Sequence, residues 1–161
     1  MFKKIFFAAI FLVSLAACKS KSAFNYSQDF VKKERNLSPD MASTEEKVKG
    51  YVAKDEFDSI GYAGELMEKL VDVKLKEIKD QAAPDAKEGE NFKEAGIKYF
   101  SYIKSIYTAY KDYGYAKTPE AKEEEMTKLR AIVDKKADAI EEMQKAQKKY
   151  ADANGFKLED K

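Results

Sequence analysis

The densest chemistry in this chain is a run of phenols. Tyr99, Tyr102, Tyr107, Tyr110, Tyr113 and Tyr115 fall within seventeen residues. A stripe of tyrosines facing a groove could stack on a sugar ring or hold a flat apolar ligand. Spacing by threes and fours fits a second reading, in which the rings fill a core and the hydroxyls reach its rim, and ordinary helix amphipathicity favours that one. Tyr99, Tyr102, Tyr107, Tyr110 and Tyr113 are the candidate ligand face.

Little else could react. The chain has no histidine, which excludes histidine-based triads, general bases and the usual zinc or di-iron sites. Ser101 and Ser105 sit inside an apolar segment with no base in view. The glycines are scattered, so no phosphate-binding loop forms. Glu123, Glu124 and Glu125 read as a solvated helix start. Asp152-Ala153-Asn154-Gly155 lacks the spacing of a calcium loop and reads as a helix end. No catalytic residue, metal site or cofactor is expected, so the chain is not read as an enzyme.

The single cysteine, Cys18, takes its meaning from what precedes it. Lys3 and Lys4 give a positive start, Ile5 to Val13 an apolar run, and Leu15-Ala16-Ala17 a small-residue approach. The run is half the roughly 20 residues that a spanning helix needs, as in a signal peptide. Leu15-Ala16-Ala17-Cys18 resembles the lipobox of bacterial lipoproteins. That resemblance implies cleavage before Cys18, a diacylglycerol thioether on its sulfur and, in diderm bacteria, an acyl chain such as palmitate on the new amine. Two or three chains give lasting attachment where one holds only marginally. The expected organisation is a signal peptide over 1–17, a lipidated cysteine and tether over 18–23, and a helical domain over 24–161. From Lys19 to Ala23 an extended tether reaches at most about 17 Å. Lys19 stands where an aspartate would signal inner-membrane retention, so the outer membrane is expected. The lack of an acidic run after Cys18 favours the periplasmic face over the cell surface.

Charge excludes another class. Of 30 basic and 29 acidic residues, Lys3 and Lys4 lie in the leader, so the remainder carries 28 against 29, a net of −1. With only Arg35 and Arg130 as arginines, the chain lacks the basic footprint of a nucleic-acid binder.

Helices must position all of this. Apolar residues make up 44% and charged residues 37%, a mixture suited to a helical domain with a core. Phe92, Gly96, Tyr99, Ile103, Ile106, Tyr110 and Tyr113 alternate steps of four and three, a heptad seam of the coiled-coil kind, widened by Phe100, Tyr102 and Tyr107. Thr118-Pro119 is a cap followed by proline at the first helical position, and Met126, Leu129, Val133, Ile140, Met143 and Tyr150 follow with the same period. Asn154-Gly155 ends that segment, with Phe156 folding back on it. Ile60, Met67, Leu70, Val71, Leu75 and Ile78 form a stripe before Pro84, capped by Asp58 or Ser59. Upstream, Phe24, Phe30, Val31, Met41, Val48, Tyr51 and Val52 are sparser. Pro39 and the capping box at Ser43-Thr44-Glu45-Glu46 leave one helix or two open there. The expected fold is all-α, an antiparallel four-helix bundle.

The closing Gln144-Lys145-Ala146-Gln147-Lys148-Lys149-Tyr150-Ala151 and Asn154-Gly155-Phe156-Lys157-Leu158-Glu159 resemble the end of an uncharacterised family of small helical surface lipoproteins. The resemblance implies a lipobox and an aromatic-rich third helix but no catalytic or binding residues. The expected function is therefore a membrane-anchored, non-enzymatic domain for protein interaction or envelope structure. Its expected partners are the membrane, through lipid on Cys18, and an envelope protein. The alternative is a small-molecule or glycan-binding lipoprotein using the tyrosine face. The oligomeric state is not set by the sequence.

Overall fold

The computed structural model describes the chain from Phe2 to Leu158, with side chains from Ser20 onward. The lipobox and Cys18 lie outside the residues whose side chains are described. The protein is all-α, as its periodicity requires, with no strand among the described residues. Five helices follow one another: α1 (Phe2–Val52), α2 (Phe57–Asp80), α3 (Gly89–Tyr115), α4 (Pro119–Val133) and α5 (Lys136–Asn154). The last two form one arm, broken by a turn at Asp134-Lys135.

The arms run up, down, up and down. α2 lies between α1 and α3, the α4–α5 arm lies against α3, and α5 closes the ring on α1. This sets α1 and α3 parallel and diagonal across the bundle, and aromatic side chains fill the space between them. Phe30 of α1 meets Phe92 and Phe100 of α3, with ring centroids 5.6 and 5.3 Å apart. Gly96 leaves room for that ring, since a β-carbon there would stand 2.5 Å from it. Burying such large rings contributes more apolar area per residue to the core than the aliphatic side chains beside them.

Each junction has a local cause. Thr118 accepts a hydrogen bond from the Ala121 amide at 3.1 Å, and Pro119 opens α4. Neither Asp58 nor Ser59 caps α2; it begins at Phe57, and Glu56 makes no side-chain cap bond. Gly155 takes the left-handed conformation at the end of α5, and the Phe156 amide donates back to the Ala151 carbonyl. Phe156 then packs edge-on against Tyr150 and Phe24.

α1 runs unbroken through Pro39, which is exposed. On an outer face water can satisfy the carbonyl that loses its partner, so the proline is tolerated. The capping-box residues are therefore helix interior, and Glu45 serves a tyrosine instead. Ser20 to Ala23, read as tether, are already helical, and Ala23 is fully buried. The folded domain begins within that stretch.

The break between α4 and α5 falls where the apolar period lapses. Between Val133 and Ile140 the inward position is occupied by Lys136 or Ala137. Val133 itself is exposed, and without an apolar anchor there one continuous helix gains nothing from packing.

Candidate functional site

The five tyrosines of the expected ligand face do not open onto one groove. Tyr107 is 1% exposed and belongs to the core. Tyr99 donates to Glu34 and Tyr110 to Glu45, each at 2.8 Å. Both partners are eleven residues apart, three helical turns, so these bonds fix the register of α3 against α1. Burial raises the pKa of both phenols, and the facing carboxylates raise it further. Tyr107 is raised for the same reasons, burial first and then Glu45. Tyr113 turns to the α3–α4 corner, edge-on to Phe57, whose ring also carries Lys122 Nζ at 3.3 Å from its centroid. Tyr102 points away from α1, with its hydroxyl enclosed and unpartnered.

Tyr102 and Tyr99 do border a groove of about 580 Å³ between α3 and the start of α5. Charged side chains furnish its walls: Glu94 and Lys98 on α3, and Lys135, Asp138 and Glu142 across from them. Glu94 and Lys98 stand in the order and spacing that favours an ion pair. Glu65–Lys69, Glu124–Lys128 and Glu141–Lys145 close that pair elsewhere, yet Glu94 and Lys98 leave it open. Among the described residues no three histidine, cysteine or carboxylate side chains converge as metal ligands would. A shallower groove of about 300 Å³ lies beneath α4, lined by Ser105, Thr108, Lys128 and Ile132 among others.

Among the described residues, the largest group of exposed apolar side chains on one element is elsewhere. Tyr62, Leu66, Leu70 and Val73 are 60, 46, 44 and 55% exposed. Their steps of four, four and three place them on one outward face of α2, opposite Ile60, Met67, Val71, Leu75 and Ile78, which are buried. Tyr115 extends the patch, its ring against Gly61 and its hydroxyl 3.1 Å from Glu65 Oε2. Leu70 was expected within the buried stripe and lies on this outer face instead. The signal was present in the sequence: α2 carries apolar residues on both faces, which a helix packed on one side does not need.

Behind that face α2 is held firmly. Gly64 abuts the backbone of Tyr107 and Lys111, and Gly114 abuts the backbone of Gly61. Glu68 spans the seam, accepting from Thr108 Oγ1 at 2.6 Å and Lys111 Nζ at 2.7 Å. Burial pushes the Glu68 carboxyl up, but these two donors outweigh it and hold its pKa below the usual value. The outer stripe is thus presented on a rigid element.

The chain matches no known family model, no curated protein and no solved structure. Among the described residues no helix is long and apolar enough to cross a membrane.

Proposed function

We propose that this chain is a lipid-anchored lipoprotein of the bacterial envelope whose helical bundle works by binding another protein, not by catalysis. The observation that carries the binding role is the outward stripe of Tyr62, Leu66, Leu70 and Val73 on α2. Single exposed apolar residues are ordinary, whereas a contiguous, rigidly mounted row marks an interaction surface. The anchor rests on Leu15-Ala16-Ala17-Cys18 and the leader before it. Ala23, five residues past Cys18, is already in the core, so a lipid on that cysteine would hold the bundle against its membrane. Attachment to the outer membrane, on its periplasmic face, follows from Lys19 and the missing acidic run.

Two measurements test the reading. Mass spectrometry of the mature N-terminus should find Cys18 as first residue carrying diacylglycerol; an intact leader or an unmodified thiol refutes the anchor. Photo-crosslinking from position 66 in cells should trap protein at this face and not from a position such as Lys47 on the outside of α1. Equal labelling from both removes the basis for a specific interaction surface.

A second reading has one observation in its favour. The groove bordered by Tyr99 and Tyr102 sets open charges of both signs around an aromatic wall, and its volume falls within the usual range for small-ligand sites. A neutral glycan, whose hydroxyls both donate and accept, suits that lining. Saturable NMR shifts at Ala95 and Ala139 with chitotriose or maltotriose support it; shifts spread over the surface count against it.

A further inference from the structure

We propose that the outer face of α2 pairs with the same face of a second copy of this chain, antiparallel, about a twofold axis near Met67. The proposal deepens the protein-interaction reading above and rests on it. Of the eight exposed large apolar side chains among the described residues, four lie on this one stripe, and a twofold interface needs one such patch facing itself.

The register follows from charge. Glu65 and Lys69 form an i,i+4 pair along one flank of the stripe. When two α2 helices cross antiparallel about Met67, Glu65 faces the partner's Lys69, and Lys69 faces the partner's Glu65. In the same register Lys76 comes opposite the partner's Asp58. The apolar residues then interleave, with Tyr62 beside the partner's Val73 and Leu66 between the partner's Leu66 and the partner's Leu70. A parallel pair would instead oppose Lys69 to the partner's Lys74, where like charges repel. The flanks carry no excess positive charge, because Lys69, Lys74 and Lys76 are each paired within the helix. An anionic membrane surface is therefore a poorer match than an identical helix.

The stripe is smaller than the roughly 800 Å² per partner of a standard stable interface. The pair is accordingly weak and concentration-dependent, and lateral confinement on a membrane would favour it. Rim ion pairs set orientation more than affinity.

Sedimentation equilibrium of the full chain in a non-ionic detergent tests this, with circular dichroism to verify the fold of each variant. The wild type should show a reversible monomer–dimer equilibrium with dissociation in the micromolar range. Leu66→Asp should abolish it. Glu65→Lys opposes like charges at both symmetry-related positions and should weaken it about fivefold, the equivalent of about 1 kcal/mol. Adding Lys69→Glu to that variant should restore it. A monomer at every concentration, a dimer indifferent to Leu66→Asp, or a double swap as weak as the single reversal overturns the proposal. Release from anionic vesicles by Leu66→Asp, without self-association, assigns the face to lipid and also overturns it. If the chain stays monomeric while position 66 still crosslinks to a different envelope protein, self-pairing falls and the interaction reading stands.

Discussion

Two seams of α3 differ in what touches what. Against α2 the backbones themselves meet, through Gly61, Gly64 and Gly114, with Glu68 bonded across the join. Against the α4–α5 arm few buried side chains make the join. α4 buries Leu129 alone, α5 buries Met143, Tyr150 and Ala151, and a groove opens on either side of the break. Close-packed interiors resist small changes in volume, whereas loosely filled seams relax around them. The bundle thus pairs a stiff α2–α3 unit, which bears the exposed stripe, with an arm held at a few points.

The largest effect should come from filling the tight seam. A β-carbon at position 114 would stand 2.1 Å from the Gly61 amide nitrogen, and backbone cannot swing aside. Gly114→Ala should cost about 3 kcal/mol, the upper part of the range for overpacking, read as a fall in denaturant midpoint at unchanged slope. Gly50 has nothing within 4 Å of an added β-carbon and is helical, so Gly50→Ala should gain about 0.5 to 1 kcal/mol. Equal effects at both positions would dissolve the contrast.

Next comes the arm. Leu129 is 8% exposed and is the only buried side chain of α4. Leu129→Ala should cost about 2 kcal/mol, the low end for a buried leucine beside space that can collapse. The loss should be local. Amide exchange should quicken through α4 while α2 and α3 keep the protection of the global transition. Uniform loss of protection would show that the arm and the α2–α3 unit unfold as one.

The same contrast explains what could be read from the sequence. The core stripe of α2 and the cap at Thr118 were legible because each depends on residues near in the chain. On α3 the expected seam held at Phe92, Gly96 and Ile103, whereas Phe100, Tyr107 and Gly114 are buried in place of the neighbouring Tyr99, Ile106 and Tyr113. Phe92, Gly96, Phe100, Ile103, Tyr107 and Gly114 face the centre, while Tyr99 and Tyr110 lie at its rim, where their hydroxyls reach carboxylates of α1. Spacing alone cannot tell a tyrosine that enters the core from one that hydrogen-bonds beside it. The continuity of α1 through Pro39 depended on which face the proline presents, and the break before α5 on a missing inward residue. Of the candidate sites, the tyrosine run dispersed once its partners on α1 were in place. The α2 stripe was legible in principle, as a helix apolar on two sides, but Leu70 had been assigned to the wrong one.

The smallest effect at a buried side chain concerns Tyr150, the arm's main attachment, and like that of Gly50→Ala it is stabilising. Its ring stacks on Phe92 with centroids 4.7 Å apart, it is fully buried, and its hydroxyl has no hydrogen-bond partner. A buried donor left unsatisfied costs about 1 to 3 kcal/mol, while the ring's packing would survive loss of the oxygen. Tyr150→Phe should therefore stabilise the protein at neutral pH by about 1 kcal/mol. Burial, with a smaller contribution from Tyr26, pushes this phenol from 10.0 up to about 12. Between those values the unfolded chain has lost the proton and the native state keeps it, so wild-type stability falls as pH rises through that window. Phenylalanine has no proton to lose. Its advantage should widen by up to about 1.4 kcal/mol per pH unit above pH 10 and level off beyond the folded value. Denaturant melts of both proteins from neutral to strongly alkaline pH, with phenolate absorbance followed alongside, measure this directly. A constant difference across that range would mean that the Tyr150 hydroxyl ionises as easily in the folded protein as in the unfolded chain, so that water reaches it and this end of the arm is open rather than sealed against Phe92.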